Sequence, residues 1–230
     1  MIKLAALPDP GALIFDLDGT LVDTVEARIR AWMQVFAETG IAADREHLAR
    51  LIGADGKRLA KEVADVAGRR IDDGRAEAID KRSGEIFNEI NKSPRPIAGA
   101  RQLLMAISRS SLPWGIATSS RPEQVRVSIA ALKLPAEPRI IDGSHVEHAK
   151  PAPDLLLLAA EKLRAQPDRC WYVGDSTWDM LAGRAAGMTG IGVPYGAASK
   201  TDLLNAGAEV ASSFRSLLAD LQRRGVLTAA

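Results

Sequence analysis

Five short apolar runs punctuate the chain: ALIFD (12–16), WGIAT (114–118), RIID (139–142), CWYVG (170–174) and TGIGV (189–193). None alternates apolar with polar residues, and each gives way to small or polar positions. Such runs predict strands buried on both faces, as in a parallel sheet. Between them the spacing turns helical. Ala98, Leu103, Leu104 and Ile107 mark a helix over 97–109, and others follow near 123–132, 153–164 and 178–186. Pro153 suits a first helical turn, where a missing amide costs nothing. The segment 214–223 reads as a closing amphipathic helix. Alternating strand and helix predict an α/β fold, an open sheet with helices on both faces.

The interval 24–95 breaks this rhythm. It holds no buried strand pattern and reads as helices over 24–39, 44–52, 57–67 and 74–91, with Gly40 and Gly68 as helix stops. Ser93, Pro94, Arg95 and Pro96 form a stiff return. The chain therefore divides into a core, 1–23 with 96–230, and an inserted helical block, 24–95. Two readings of the block stand: a lid over the strand ends, or helices packed on the sheet as further crossovers.

In an open α/β sheet, ligands collect beyond the carboxyl ends of the strands. The first run ends in Asp16, Asp18 and Thr20, with Asp23 further on, and the second in Thr118, Ser119, Ser120 and Arg121. Lys150 follows the third run in HAKPAPD, and GDSTWD with Asp175 and Asp179 follows the fourth. Acids crowded at one edge repel one another unless a cation sits among them. Carboxylate and hydroxyl oxygens without His or Cys favour Mg²⁺, and Lys150 offers a second positive partner. A phosphate neutralised by such a set is open to attack by a carboxylate. Asp18, two residues on, could pass a proton to the leaving oxygen. Taken alone, Asp16 and Asp18 also read as acids closing a strand, Lys150 as a solvated lysine, and Asp23 as a cap on the helix beginning near Thr24.

With all four motifs in order, the chain resembles the haloacid dehalogenase-like superfamily, phosphatase branch, along essentially its whole length. DLDGT matches that family's DxDx(T/V), ATSS its second motif, KPAPD its third and GDSTWD its fourth. The resemblance implies a Rossmann-like core with an α-helical type 1 cap. It implies Asp16 as nucleophile and Asp18 as general acid/base, with Thr118, Ser119 and Lys150 on the phosphate. Mg²⁺ would lie among Asp16, the backbone carbonyl of Asp18 and Asp175, with Asp179 behind. LIGADGKRL (51–59) resembles the specificity loop of related caps, so Gly53, Lys57 and Arg58 are candidate substrate contacts, as is Arg28. The expected activity is Mg²⁺-dependent hydrolysis of a small phosphorylated metabolite through an aspartyl-phosphate, similar to phosphoglycolate phosphatases. A phosphomutase of the β-phosphoglucomutase kind shares the motifs, but those enzymes tend to carry histidine where this chain has Arg28. A receiver-like phospho-aspartate module is a further alternative; it lacks the second acid and the insertion.

Bulk properties narrow this little further. Lys plus Arg number 30 against 29 for Asp plus Glu, so no net field argues for nucleic acid or an anionic membrane as partner. Cys170 is the lone cysteine, and His47, His145 and His148 form no zinc pattern. Pro8, Asp9 and Pro10 interrupt the N-terminal stretch where a signal peptide would be apolar. These readings predict a cytoplasmic protein, monomer or homodimer.

Overall fold

The computed structural model describes residues 7–146 and 148–228; residues 1–6, part of the N-terminal stretch read above, lie outside it. Six strands form one parallel sheet in the order β5-β4-β1-β6-β7-β8. They are β1 (Ala12–Phe15), β4 (Trp114–Ala117), β5 (Ile140–Ile141), β6 (Cys170–Gly174), β7 (Thr189–Gly192) and β8 (Glu209–Val210). β1 lies in the middle, with Phe15 in register with Ile116 on one side and Val173 on the other.

Every residue of β1 and β6 is buried, as expected of central parallel strands. Their side chains alternate between two cores. Leu13, Phe15, Trp171 and Val173 pack with α5 (Ala100–Ser108) and α10 (Phe214–Arg223). Ala12, Ile14, Cys170 and Tyr172 pack with α7 (Asp154–Leu163) and α8 (Thr177–Ala185) on the other face. The remaining core helices are α6 (Pro122–Leu132) and the short α9 (Lys200–Asn205).

Residues 25–90 form α1 (Val25–Thr39), α2 (Arg45–Leu51), α3 (Gly56–Val66) and α4 (Asp73–Ile90). These share a hydrophobic cluster of their own, with Trp32, Phe36, Leu48, Leu59, Ile79 and Phe87 at its centre. Gly40 ends α1 at φ +67°, a left-handed conformation that costs glycine little. Asp44, Asp55 and Asp72 cap α2, α3 and α4, each accepting from a backbone N–H of the first turn.

The chain enters and leaves this block side by side: β2 (Val22–Asp23) pairs antiparallel with β3 (Arg95–Pro96). Asp23 therefore lies exposed in a strand, and α1 starts without a side-chain cap. Two-residue strands carry no readable periodicity, so β2, β3 and β8 escape a pattern search, as does six-residue α9. Pro153 precedes its helix as the capping residue. Among the described residues no helix is long and apolar enough to cross a membrane.

Candidate active site

The carboxyl ends of β1, β4 and β6 open into a cavity of about 590 Å³, roofed by α1, the 52–57 segment and α4. Asp16, Asp18, Thr118, Ser119, Lys150, Asp175 and Asp179 all line it. Of the four residues proposed from the helical block, Arg28, Gly53 and Lys57 line it too, whereas Arg58 does not. The Arg58 guanidinium instead lies 4.8 Å from the ring centre of Trp178.

Lys150 is 2% exposed, and its ammonium donates to Asp16 Oδ1 at 2.5 Å and to Asp179 Oδ1 at 2.7 Å. Burial alone would lower the Lys150 pKa, but the charges of Asp16 and Asp179 overcome it and hold the ammonium well above its usual range. Asp179 is the fixed member of this group. Its Oδ1 also accepts from the Tyr172 hydroxyl at 2.8 Å, and its Oδ2 from the backbone N–H and hydroxyl of Ser176 at 2.9 and 2.6 Å. Ser176 and Asp179 form the capping box at the start of α8, so a helix-terminus motif also orients the lysine's counter-ion. Burial pushes the Asp179 carboxyl up, yet Lys150, Ser176 and Tyr172 together hold it below the usual range. No side chain fits at residue 174: a Cβ on Gly174 would stand 2.4 Å from that of Asp179.

Asp16 and Asp175 are less well compensated. The Thr20 hydroxyl lies 2.7 Å from Asp175 Oδ1 and 3.2 Å from Asp16 Oδ2, with one proton to give. Ala197 N–H donates to Asp175 Oδ2 at 2.7 Å. Burial raises the Asp16 carboxyl to about 7; Lys150 restrains the rise, and Asp179 and Asp18 add to it. Burial likewise drives Asp175 well above the carboxylate range, with Asp179 and Asp16 adding to it. Asp16, Asp175 and Asp179 each offer an oxygen within 4.8 Å of the others'. Asp179 has spent its oxygens on protein donors, so Asp16 and Asp175 carry the uncompensated charge. An all-oxygen set short of positive charge fits a hard divalent cation. Backbone closes in on Asp175 from two sides: a Cβ at Gly19 or Gly196 would stand 2.4 or 1.8 Å from its Oδ2.

Asp18 belongs to a separate network. Arg28, from α1, donates through Nη2 to Asp18 Oδ2 at 3.1 Å, to Ser120 Oγ at 2.6 Å and to Gln124 Oε1 at 3.2 Å. Its guanidinium lies 3.6 Å from the centre of the Phe87 ring in α4. Ser120 also donates to Asp18 Oδ2, and Ser128 to Oδ1 at 3.3 Å. Burial pushes the Asp18 carboxyl up, but Arg28 and Ser120 outweigh it and hold it below its usual range. Beside it Thr118 is buried, and the Ser119 hydroxyl is buried without a partner among the described residues.

Besides Arg28, further contacts fasten the helical block to the core. Asp55 N–H donates to the Lys150 carbonyl at 3.1 Å, and Trp178 Nε1 to the Arg50 carbonyl at 3.1 Å. Arg121 pairs with Glu77 and Asp80 of α4 at 3.1 and 2.9 Å. Gly53, at φ +97°, packs so closely that a Cβ would stand 2.6 Å from Ser176 Oγ. Lys57 reaches Glu77 at 3.5 Å. Ser120 and Gln124 meet Arg28 across a long stretch of chain, which no motif foretells, whereas Tyr172 and Ser176 reach Asp179 locally around the start of α8. His145 and His148 lie at the surface, beside Asp142 and Asp154.

Comparison with known proteins agrees with this geometry. A family model described as haloacid dehalogenase-like hydrolase matches residues 13–193. The N-acetylmuramic acid 6-phosphate phosphatase of Pseudomonas aeruginosa is 30% identical over 187 residues, which cover 80% of this chain and 82% of that one. The phosphoglycolate phosphatase of Xanthomonas campestris pv. campestris is 30% identical over 194 residues, covering 81% and 84%. A crystal structure of a hydrolase from Pseudomonas syringae superposes with a TM-score of 0.87 at 33% identity, covering 92% of this chain and 98% of that one. Motifs, architecture and relatives agree: the chain belongs to the haloacid dehalogenase-like hydrolase family and is an enzyme of its phosphatase type.

Proposed function

We propose that the protein is a Mg²⁺-dependent phosphatase that hydrolyses a small phosphorylated metabolite through an aspartyl-phosphate on Asp16, with residues 24–95 acting as a cap. The observation that carries this reading is the buried contact of Lys150 with Asp16 at 2.5 Å, at the bottom of a cavity that Asp18 and Asp175 also line.

An Asp16 oxygen attacks phosphorus while the bond from phosphorus to the ester oxygen breaks. Asp18 gives that oxygen a proton, and the alcohol departs. Water then attacks the same phosphorus, Asp18 takes its proton, and the phosphorus bond to Asp16 breaks to release phosphate. Lys150 neutralises the nucleophile and the phosphoryl oxygens, while Thr118 and Ser119 hold the phosphoryl group. The unpartnered Ser119 hydroxyl suits that task. Asp16, the Asp18 carbonyl and Asp175, with Asp179 behind, would hold Mg²⁺, which would supply further neutralisation of that charge. Held by Arg28, Asp18 is in the form that takes a proton from water. To give one, it has to loosen from Arg28.

The test is turnover of para-nitrophenyl phosphate by purified protein with and without Mg²⁺. Wild-type protein turns over with the metal, while Asp16→Asn falls to below about one-thousandth and still melts cooperatively. Substantial turnover by Asp16→Asn, or a beryllium fluoride adduct at another residue, would overturn the reading. Release of free phosphate without an added acceptor separates hydrolysis from phosphomutase chemistry.

A further inference from the structure

We propose that Tyr172 is a positioning residue of the reaction: its buried hydroxyl fixes the Asp179 carboxylate, which in turn aims the Lys150 ammonium at the phosphoryl group. The inference rests on the phosphatase reading and adds to it a residue that lies outside the four motifs.

Tyr172 stands in β6 between Trp171 and Val173, and every residue of that strand is buried. Its side chain joins the cluster of Ile14, Leu155, Ala159 and Ala182 on one face of the sheet. A phenol in such a place costs free energy unless its hydroxyl is bonded. The hydroxyl reaches out of the cluster to Asp179 Oδ1, at 2.8 Å. Phenylalanine would fill the same space without that cost, so the oxygen serves the contact and not the core.

Asp179 is thereby held from two elements. Ser176, at the start of α8, grips Oδ2 through its N–H and its hydroxyl. A carboxylate held at one oxygen can still turn about that end. Tyr172, from the strand, holds the other oxygen and so fixes the plane.

The consequence falls on Lys150. Its Nζ donates to the same Oδ1 of Asp179 at 2.7 Å, and to Asp16 Oδ1 at 2.5 Å. An ammonium carries three hydrogens in a tetrahedral array. With two directed at fixed carboxylates, the direction of the third is set as well, and Lys150 lines the cavity. Tyr172 and Lys150 share one acceptor oxygen, so removing the phenolic hydroxyl unsettles the oxygen on which the ammonium is registered. Stabilisation of charge developing on a phosphoryl group depends on donors already in place. The Tyr172 ring lies close too, its centre 5.7 Å from Lys150 Nζ. Tyr172→Phe keeps that ring and removes only the hydroxyl.

The variant is assayed on para-nitrophenyl phosphate with saturating Mg²⁺, at a temperature well below its Tm. It loses one hydrogen bond and no packing volume, so the fold survives it. kcat falls about five- to twentyfold while KM moves by less than about twofold, the pattern of an interaction strengthened in the transition state. Vanadate binds more weakly by a factor like that of kcat. Cys170→Ala, which opens space in the same strand and cluster, lowers Tm but leaves kcat and vanadate affinity within about twofold. A Tyr172→Phe enzyme with kcat within about twofold of wild type, a loss confined to KM, or an equal loss of kcat in Cys170→Ala would overturn the proposal. Absence of para-nitrophenyl phosphate turnover by wild-type protein would instead overturn the phosphatase reading.

Discussion

The floor and the roof of the cavity are built on opposite plans. On the floor nearly every charged group is committed: Lys150 to two carboxylates, Asp179 to Lys150, Tyr172 and Ser176, and Asp18 to Arg28, Ser120 and Ser128. The roof keeps Ser83, the Gln124 amide and one Asp80 oxygen unspent. Committed groups hold fixed positions, which is what a reacting phosphorus requires. Uncommitted ones stay open to what enters the cavity. The floor is thus held in place by its own contacts, and the roof leaves hydrogen-bonding groups free above it.

Four changes test this contrast. Asp18→Asn cuts kcat by about 10²–10⁴, the range of acid/base catalysis, in a steady-state assay; a variant within a few-fold of wild type would remove Asp18 from the chemistry. Lys150→Ala strands two buried carboxylates and destabilises the fold by about 3–5 kcal/mol in chemical denaturation. The same variant loses vanadate affinity.

Mg²⁺ comes next. With Asp16 at about 7 against an ordinary 3.8, the folded protein keeps a proton that the unfolded chain has lost in that window. Without metal, this group therefore lowers stability as pH rises from about 4 to 7, and a cation that displaces the proton reverses the loss. Melting curves show a larger Mg²⁺-induced rise in Tm at pH 8 than at pH 5.5, and the stabilisation reaches about 2.7 kcal/mol at a hundred times Kd. The smallest effect belongs to the roof's attachment. Trp178→Phe removes the bond to the Arg50 carbonyl, costs about 0.5–1.5 kcal/mol in denaturant and leaves the vanadate affinity of the floor within about twofold.

The floor was legible in the sequence because each of its groups follows an apolar run that can only be a strand. Asp16, Thr118 and Asp175 come directly after β1, β4 and β6, and the parallel register brings them together. Lys150 sits on a loop; its place after the third run marked it as a positive partner for the acids, and the family resemblance added its role. The roof was harder. Lys57 and Arg58 are neighbours in α3, yet the helical turn between them sends one to the cavity and the other to Trp178. Asp80 and Ser83 look like ordinary positions on a solvated helix, and only the packing of α4 over the sheet edge shows otherwise.

The hydrogen bond from Asp55 N–H to the Lys150 carbonyl ties residue 150 to the overlying helices by its main chain while its ammonium holds Asp16. Any displacement of the 52–56 segment would deprive that carbonyl of its partner and leave Lys150 with one anchor fewer.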